Sequence, residues 1–364
     1  MKELFLLDPD VVYLNHGSYG ACPRPVFERY QAWQLELERE PVDLISRRLS
    51  GLLADARAAL AEYVGAHADD LTFVQNATTG VNMAARALDL RPGDEVLSTD
   101  MEYGACDFTW EQVCAQAGAR YVRAQIPLPL DEVTNAIFAR RTERTRAVYI
   151  SHITSETGLL LPVEEIVTRA HAEGLVAIVD GAHAPGHVDL DLDALGAEFY
   201  AGNCHKWLCA PKGAGFLHVR GDWQERVDGP IVSWGYEEPA TFISRTERQG
   251  TRDSAAYLAV PDAIDFVREH DVRDRCVALA RAGRTELCDL LGTAPLSGDD
   301  AIRQLVSVRL PEPMPTLSQQ LRDDFGIEIP TMGPKSDDLL RLSVAPYTER
   351  EDVERLLDAL PHVV

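Results

Sequence analysis

The feature that most constrains the fold is a regular alternation of short apolar runs with segments of helical periodicity. The runs that predict buried strands are 71–75, 95–98, 121–123, 147–151, 175–180, 199–201 and 215–219. Segments such as 81–88 and 163–172 have helical spacing and lie between them. Because strands joined through helices pair in parallel and are covered on both faces, the pattern predicts an α/β fold with a mostly parallel seven-stranded sheet.

The pattern changes after about residue 257. The elements expected there are a helix from Pro261 towards Leu291 and strands at 305–310 and 339–344. Thr348 and Glu351 have capping-box spacing and predict the start of a last helix. The expected parts are an N-terminal arm (1–20) near the functional site and the small domain, a large domain (21–255) and a small C-terminal α+β domain (256–364).

The charge of the chain limits its partners. The 364 residues carry a formal net charge of −23, which disfavours nucleic acid and anionic membrane surfaces. The apolar stretch among the first ten residues is too short and too acidic for a signal peptide. No apolar run reaches membrane-spanning length. Seven cysteines without framework spacing favour reduced thiols. We therefore expect a soluble cytoplasmic protein.

Two residues at predicted strand ends could carry chemistry. Asp180 closes one apolar run, at the carboxyl edge where open α/β sheets place ligands, although an isolated Asp there more often caps a turn. Lys206 follows another strand and is flanked by Trp207, Leu208 and Cys209. That apolar setting favours a desolvated amine of lowered pKa, which can form an imine, whereas a solvated surface lysine is the commoner case.

A third segment, 76–80, follows a strand and precedes a helix. Its hydroxyls and amides meet at a helix amino terminus, which suits a phosphate group about as well as a plain N-cap. His183 and His187 are spaced for a metal only on a helix, which Pro185 and Gly186 prevent. Cys204, His205 and Cys209 lack paired zinc spacing, so no metal site is predicted. Nucleotide-loop and Gly-x-Ser-x-Gly motifs are absent from the sequence.

Together these segments resemble the class V aminotransferase family and, within it, the isopenicillin N epimerase-like group. The matching stretches, in the family's order, are 13–20 (YLNHGSYG), 76–80 (NATTG), 102–105 (EYGA), 155–158 (SETG), 180–183 (DGAH), 203–207 (NCHKW), 249–253 (QGTRD) and 340–343 (LRLS). Each is weak alone, whereas the ordered set is specific and covers nearly the whole chain. The resemblance implies the aspartate-aminotransferase type of fold and the cofactor pyridoxal 5'-phosphate (PLP).

The resemblance also implies roles for individual residues. Lys206 would carry PLP as a Schiff base, Asp180 would pair with the pyridine nitrogen, and His183 would bond the ring hydroxyl. Tyr103 stands where the family stacks a side chain, often His, on the ring. The residues implied for the phosphate and the remaining cofactor contacts are Ala77, Thr78, Asn203, His205 and Ser155, the last at a position often held by Asn.

For the substrate, the resemblance implies an amino acid. Arg341 would bind its α-carboxylate, and His16 and Gly17 would contact it. Thr251 looks like the residue that reaches the neighbouring subunit's phosphate, which implies a homodimer with shared active sites. Cysteine desulfurases of this class need a thiol in a loop of the small domain, and because no cysteine follows Cys288 that subfamily is disfavoured.

Several reactions remain open at this stage. Lys206 is the expected base at Cα, and an epimerase-like outcome is favoured over a class V aminotransferase or a C–S lyase. Epimerisation needs a second proton donor, for which Tyr103, His152 and His16 are candidates. A cofactor-binding regulator without activity is disfavoured because both Lys206 and Arg341 are present.

Overall fold

A computed structural model describes residues 1–130, 132–332 and 338–364. The N-terminal part contains β1 (Val12–Tyr13), α1 (His16–Tyr19), α2 (Arg24–Arg39) and α3 (Leu49–Val64). The strands that follow are β2 (Leu71–Val74), β3 (Glu95–Thr99), β4 (Arg120–Ala124), β5 (Thr145–Ser151), β6 (Val176–Gly181), β7 (Phe199–Asn203) and β8 (Gly215–Val219). The helices of this part are α4 (Ala77–Ala87), α5 (Gly104–Ala117), α6 (Val133–Phe138), α7 (Val163–Ala172), α8 (Leu192–Leu195) and α9 (Phe242–Glu247).

These seven strands form one sheet in the order β2-β8-β7-β6-β5-β3-β4. Only β8 runs against its neighbours, so the predicted α/β fold with a mostly parallel seven-stranded sheet is confirmed. Strand β6 shows why: Ala177 and Val179 pack into one hydrophobic core and Ile178 into another on the opposite face. Because alternate side chains enter different cores, a central strand must be apolar throughout.

The second part begins with helices α10 (Ala255–Leu258), α11 (Val260–Glu269) and α12 (Arg273–Leu291). It continues with β9 (Leu305–Arg309), α13 (Leu317–Phe325), β10 (Ile327–Glu328), β11 (Thr331–Met332), β12 (Leu339–Ser343) and α14 (Arg350–Ala359). Strands β11, β12 and β9 form an antiparallel sheet against α12. This is the expected small α+β arrangement.

Two local expectations differ from the structure. The helix expected from Pro261 to Leu291 is broken between α11 and α12, and α11 packs on α3 in the core of the large sheet. Helix α11 therefore packs with the large sheet, and the domain boundary at residue 256 stays a prediction. The last helix is capped by Glu349 and Asp352, one residue later than expected. Thr348 does not cap it, because its hydroxyl accepts the amide of Ala345.

The N-terminal arm crosses between the two parts. Strand β1 pairs in parallel with β10 of the second part. Gly20 then passes so close to the large domain that a Cβ atom would lie 1.9 Å from the carbonyl oxygen of His205. Its φ of 72° is also a conformation that glycine adopts at little cost. No helix of the described residues is long and apolar enough to cross a membrane.

Candidate active site

A cavity of about 200 Å³ lies at the carboxyl edge of the large sheet. It is lined by Ser18, Tyr19, Asn76, Ala77, Thr78, Tyr103, Ser151, Ile153, Ser155, Asp180, Ala182, His183, Asn203, His205 and Lys206. Residues from six separate stretches of the sequence meet here, most of them because parallel strands end at the same edge. Four expected site residues, His16, Gly17, Thr251 and Arg341, are not among the lining residues.

Lys206 lies in the turn after β7 and is desolvated. Burial lowers the pKa of its amine to about 8; the charge of Arg341 acts in the same direction and Asp180 opposes it. An appreciable fraction of this amine is therefore neutral near physiological pH. A neutral amine in a cavity is the state that attacks a carbonyl carbon.

Asp180 is the last but one residue of β6 and is only 3% exposed. Its carboxylate accepts the amide of Ala182 (2.9 Å), the hydroxyl of Tyr149 (3.1 Å) and the thiol of Cys106 (3.5 Å). Burial raises the pKa of this carboxyl group, and the Ala182 amide and Lys206 oppose that rise. The three donors fix its orientation and favour the ionised form, which suits a partner for a protonated nitrogen.

His183 lies between Lys206 and Trp207. The indole nitrogen of Trp207 donates to Nδ1 of His183 (3.2 Å), and Nε2 of His183 lies 3.0 Å from Nζ of Lys206. Burial, together with the charge of Lys206, lowers the pKa of His183 well below its usual range. The ring is therefore neutral, with its proton on Nε2, and can donate into the cavity.

The phosphate end of the cavity is the amino terminus of α4. The Ala77 amide donates to Oδ1 of Asn203 (2.8 Å), and the Thr79 amide donates to Oδ1 of Asn76 (2.9 Å). Because the Ala77 amide already donates to Asn203, it is not free to bond the phosphate. Ala77 lines the cavity wall at the predicted phosphate end without offering a donor. In the described part of the chain no partner competes for the amide or hydroxyl of Thr78, which leaves both for an anion.

His205 is a neutral residue in the wall at this end. Its Nδ1–H donates to the carbonyl oxygen of Ala214 (3.1 Å). Burial lowers the pKa of His205 to about 4, so the ring is neutral and its Nε2 is a hydrogen-bond acceptor. Unlike Thr78, His205 in this arrangement offers the phosphate no donor.

Arg341 lies behind the cavity wall, 1% exposed. Its Nη1 donates to the carbonyl oxygen of Ser155 (2.6 Å) and its Nη2 to the hydroxyl of Ser18 (2.8 Å), while Nε has no partner among the described residues. No carboxylate within those residues lies within 4.0 Å of it. Burial lowers the pKa of this guanidinium to about 10. A buried arginine without an acidic partner is costly unless an anion binds it.

The N-terminal arm contacts the site differently from the expectation. Both ring nitrogens of His16 are used, by the hydroxyl of Tyr347 (3.1 Å) and the carbonyl oxygen of Lys206 (3.0 Å). The Gly17 amide donates to the hydroxyl of Ser343 (3.1 Å). The geometry therefore gives both residues a role in holding the arm against Lys206 and β12, and not a direct substrate contact. Ser18 and Tyr19, which follow them, form the wall.

Of the three candidate second proton donors, Tyr103 alone lines the cavity among the described residues. It precedes α5, its side chain is partly exposed, and burial raises the pKa of its phenol. His152 bonds the hydroxyl of Tyr200 (2.8 Å) on another side of the sheet edge. Neither His152 nor His16 is among the described residues that line the cavity.

Glu102 was missed by sequence reasoning. Its carboxyl group is 4% exposed and accepts the hydroxyls of Thr99 and Ser151, both at 2.6 Å. Burial raises the pKa of Glu102 to about 8. Through Ser151 this carboxyl group supports the cavity wall. A glutamate beside Tyr103 was visible in the sequence, but nothing local indicated that it is buried.

Thr251 is exposed and lies outside the cavity. The neighbouring Arg252 and Asp253 line a groove of about 510 Å³ that also contains Asn76 and His205. This groove therefore leads to the phosphate end of the cavity. Within one chain Thr251 does not reach that end.

These residues fit PLP. A desolvated lysine, a buried carboxylate held by three donors and uncharged donors at a helix terminus match its aldehyde, ring nitrogen and phosphate in turn. The fold and the site together define a PLP-dependent enzyme. Comparison with known proteins agrees: the model of the family described as "Aminotransferase class-V" matches residues 17–356. The chain belongs to the class V aminotransferase family.

Two curated relatives carry the name isopenicillin N epimerase. The protein of Streptomyces clavuligerus is 38% identical over 98% of this chain and 95% of its own length. That of Amycolatopsis lactamdurans is 39% identical over 99% of this chain and 96% of its own length. A solved structure of a C-DES mutant, with glycine covalently linked to PLP, has a TM-score of 0.86 at 24% identity. It covers 98% of this chain and 97% of that one, which supports the fold.

Proposed function

We propose that this enzyme removes and returns a proton at Cα of an α-amino acid, with an epimerase-like outcome. The observation that carries the proposal is that two side chains suited to proton transfer, Lys206 and Tyr103, line one cavity. The pKa of Lys206 is lowered to about 8 and that of Tyr103 is raised, so one can accept a proton while the other can donate. The identity of 38–39% to isopenicillin N epimerases supports the same reaction class.

PLP, when bound, supplies the electron sink that makes the Cα proton acidic. The residues of the chain do the rest. Asp180 holds the ring nitrogen protonated, and Nζ of Lys206 takes the proton from Cα. The Tyr103 hydroxyl returns a proton to Cα. The Nε2–H group of His183 lies 3.0 Å from Nζ of Lys206 and is a hydrogen-bond donor beside this amine.

Arg341 supports the choice of an amino acid as substrate. Its guanidinium bonds two residues of the cavity wall, Ser18 and Ser155, and its Nε–H has no hydrogen-bond partner in the described part of the chain. A carboxylate that displaced these serine contacts would receive the planar fork of donors that arginine offers. The cavity of about 200 Å³ is small. A large substrate side chain would therefore extend out of it past Tyr19, which is 67% exposed.

The alternative reactions differ in what happens after proton removal. Return of the proton to the cofactor carbon gives transamination, and loss of a β-substituent gives a lyase such as the cystine C–S lyase C-DES. No cysteine is among the described residues that line the cavity, which argues against a thiol-based desulfurase. The epimerase-like outcome is favoured because Tyr103 is available as a second proton donor.

We also assign a homodimer with shared sites. The groove beside Thr251 opens at the phosphate end of the cavity, and exposed Ile231, Val232 and Trp234 form an apolar loop suited to a subunit contact. A second chain placed there could supply Thr251 to the phosphate. The seven free thiols support a reducing, cytoplasmic location.

The test is to incubate the holoenzyme with L- and D-amino acids and isopenicillin N in deuterated water. Chirality, α-deuterium and keto-acid formation are measured together. Deuterium incorporation with inversion and no keto acid supports the proposal. Stoichiometric keto acid identifies an aminotransferase, and release of sulfide or another β-substituent identifies a lyase; either result overturns the epimerase-like outcome.

A further inference from the structure

A second polar cluster lies at the other edge of the large sheet, away from the cavity. It consists of Asp70, Asp193 and His218, which each present one ligand atom, all within 4.8 Å of one another. His218 belongs to β8 and pairs with Leu71, the first residue of β2. Gly215, at the cavity end of the same pairing, is three residues away, or roughly 10 Å along the strand. The cluster is therefore separate from the PLP site.

The imidazole of His218 is buried without a hydrogen-bond partner among residues 1–130, 132–332 and 338–364. The residue is 3% exposed, and neither Nδ1 nor Nε2 forms a hydrogen bond with the described residues. Its Nε2 lies 3.7 Å from Oδ1 of Asp193, too far for a hydrogen bond and close enough to share a ligand. An unpaired buried polar group destabilises the folded protein, so a ligand that bonds this imidazole is favoured.

Hydrogen bonds position the carboxylate of Asp70 and the backbone of Asp193. The side-chain amide of Gln224 donates to Oδ1 of Asp70 at 2.6 Å, and the backbone amide of Asp193 donates to the carbonyl oxygen of Gly65 at 2.9 Å. A second imidazole, of exposed His67, lies 3.7 Å from Oδ2 of Asp193 and can complete the coordination. Such secondary contacts orient metal ligands in proteins.

We propose that Asp70, Asp193 and His218 bind one divalent transition-metal ion of the zinc class. Imidazole suits zinc and its neighbours better than magnesium or calcium, and two carboxylates balance the charge of the ion. Ligands about 2.0–2.1 Å from a tetrahedral zinc lie roughly 3.4 Å apart, so the widest pair, within 4.8 Å here, needs to approach by up to about 1.4 Å. The ion links three segments that are distant in sequence, the turn before β2, helix α8 and strand β8, and so stabilises this edge of the sheet.

The test uses tag-free, chelator-treated holoenzyme titrated with zinc by calorimetry, in the absence of amino acids. We expect one tight site per chain and a rise in melting temperature. Asp193→Asn and His218→Gln should each weaken zinc binding by roughly tenfold or more, since even outer contacts are worth that much. The control is Asp69→Asn, which changes an exposed residue outside the cluster and should leave the zinc affinity unchanged.

If His218→Gln fails to fold, Asp193→Asn alone tests the metal site. The Asp193 side chain is 41% exposed, so this variant should fold. The absorbance of its bound PLP checks that it has folded. Equal zinc affinity in the wild type and Asp193→Asn would show that the ion binds elsewhere. Failure of the wild type to bind zinc at micromolar concentration would also overturn the proposal.

Discussion

Nε2 of His183 lies 3.0 Å from Nζ of Lys206, and the opposite ring nitrogen accepts the indole proton of Trp207. This arrangement fixes the proton of the neutral ring on the side of the lysine. It keeps a donor beside the amine without placing a second positive charge there. The amine is consequently desolvated but not forced into a permanent ion pair.

The first prediction concerns capture of PLP by the cofactor-free protein. Only the neutral amine attacks the aldehyde, so the capture rate should rise about tenfold per pH unit towards pH 8 and then level off, given the pKa of about 8 for Lys206. Stopped-flow absorbance measures this rate. Asp180→Asn removes a charge that raises this pKa, and should move the profile to lower pH.

The same experiment identifies the lysine. After borohydride reduction, peptide mapping should find the cofactor on Lys206 and not on Lys212. An inflection near the ordinary lysine pKa, or an adduct on Lys212, would contradict the assignment.

The second prediction is that Asp180→Asn slows proton removal from Cα by about two orders of magnitude or more. An amide cannot hold the ring nitrogen protonated, whereas binding through Lys206 and Thr78 persists. The measurement is α-deuterium exchange at saturating PLP. Asp189→Asn, with a side chain 92% exposed, is the matched control. Exchange at the wild-type rate in Asp180→Asn would refute this role.

The third prediction is that Arg341→Lys weakens apparent substrate affinity by roughly 1.5–3 kcal/mol, the range for a charge-assisted hydrogen bond. Lysine keeps the charge and loses the planar fork of donors. PLP absorbance should stay nearly the same, and Arg309→Lys on neighbouring β9 should leave KM unaltered because its side chain is 51% exposed. Loss of PLP with an unchanged KM would show that Arg341 is structural.

The fourth prediction concerns shared sites. Lys206→Ala and Thr251→Ala chains should each be weakly active alone. After random exchange, half of the dimers are mixed and each has one intact site, so roughly a quarter of the wild-type activity should return. Lys206→Ala mixed with Asp180→Asn should restore none, because both lesions affect a chain's own cavity. Sedimentation of a fully active monomer would exclude the shared site.

The fifth prediction concerns stability and pH. The pKa of Glu102 is about 8 in the folded protein against an ordinary 4.5, so its stabilising contribution is complete below pH 4.5 and is lost as the pH rises through 8. Glu102→Gln cannot titrate, and should therefore lose stability less steeply over this window than the wild type. Denaturant unfolding at several pH values measures the difference. If the free energy of unfolding changes with pH in the same way in the wild type and in Glu102→Gln, Glu102 is ionised throughout this pH range.

Much of the fold was predictable because the signals are local. Each of the seven predicted strands is present, since a strand buried on both faces requires a continuous apolar run. Asp180 and Lys206 were predictable for a related reason: each follows such a run, and parallel strands end at one edge. The exact helix boundaries were less predictable, because the choice between Thr348 and Glu349 as cap depends on which side chain the Ala345 turn engages.

The sequence by itself determined the sheet and the family, and it placed Lys206 and Asp180 at the ends of neighbouring strands. Only the tertiary structure decided that His16 supports the Lys206 backbone, that Tyr103 alone among the described candidates opens into the cavity, and that Glu102 is buried. It also brought together Asp70, Asp193 and His218, which no spacing motif connects. The physical reason is that periodicity reports burial and direction along one element, whereas partners across elements depend on how the elements pack.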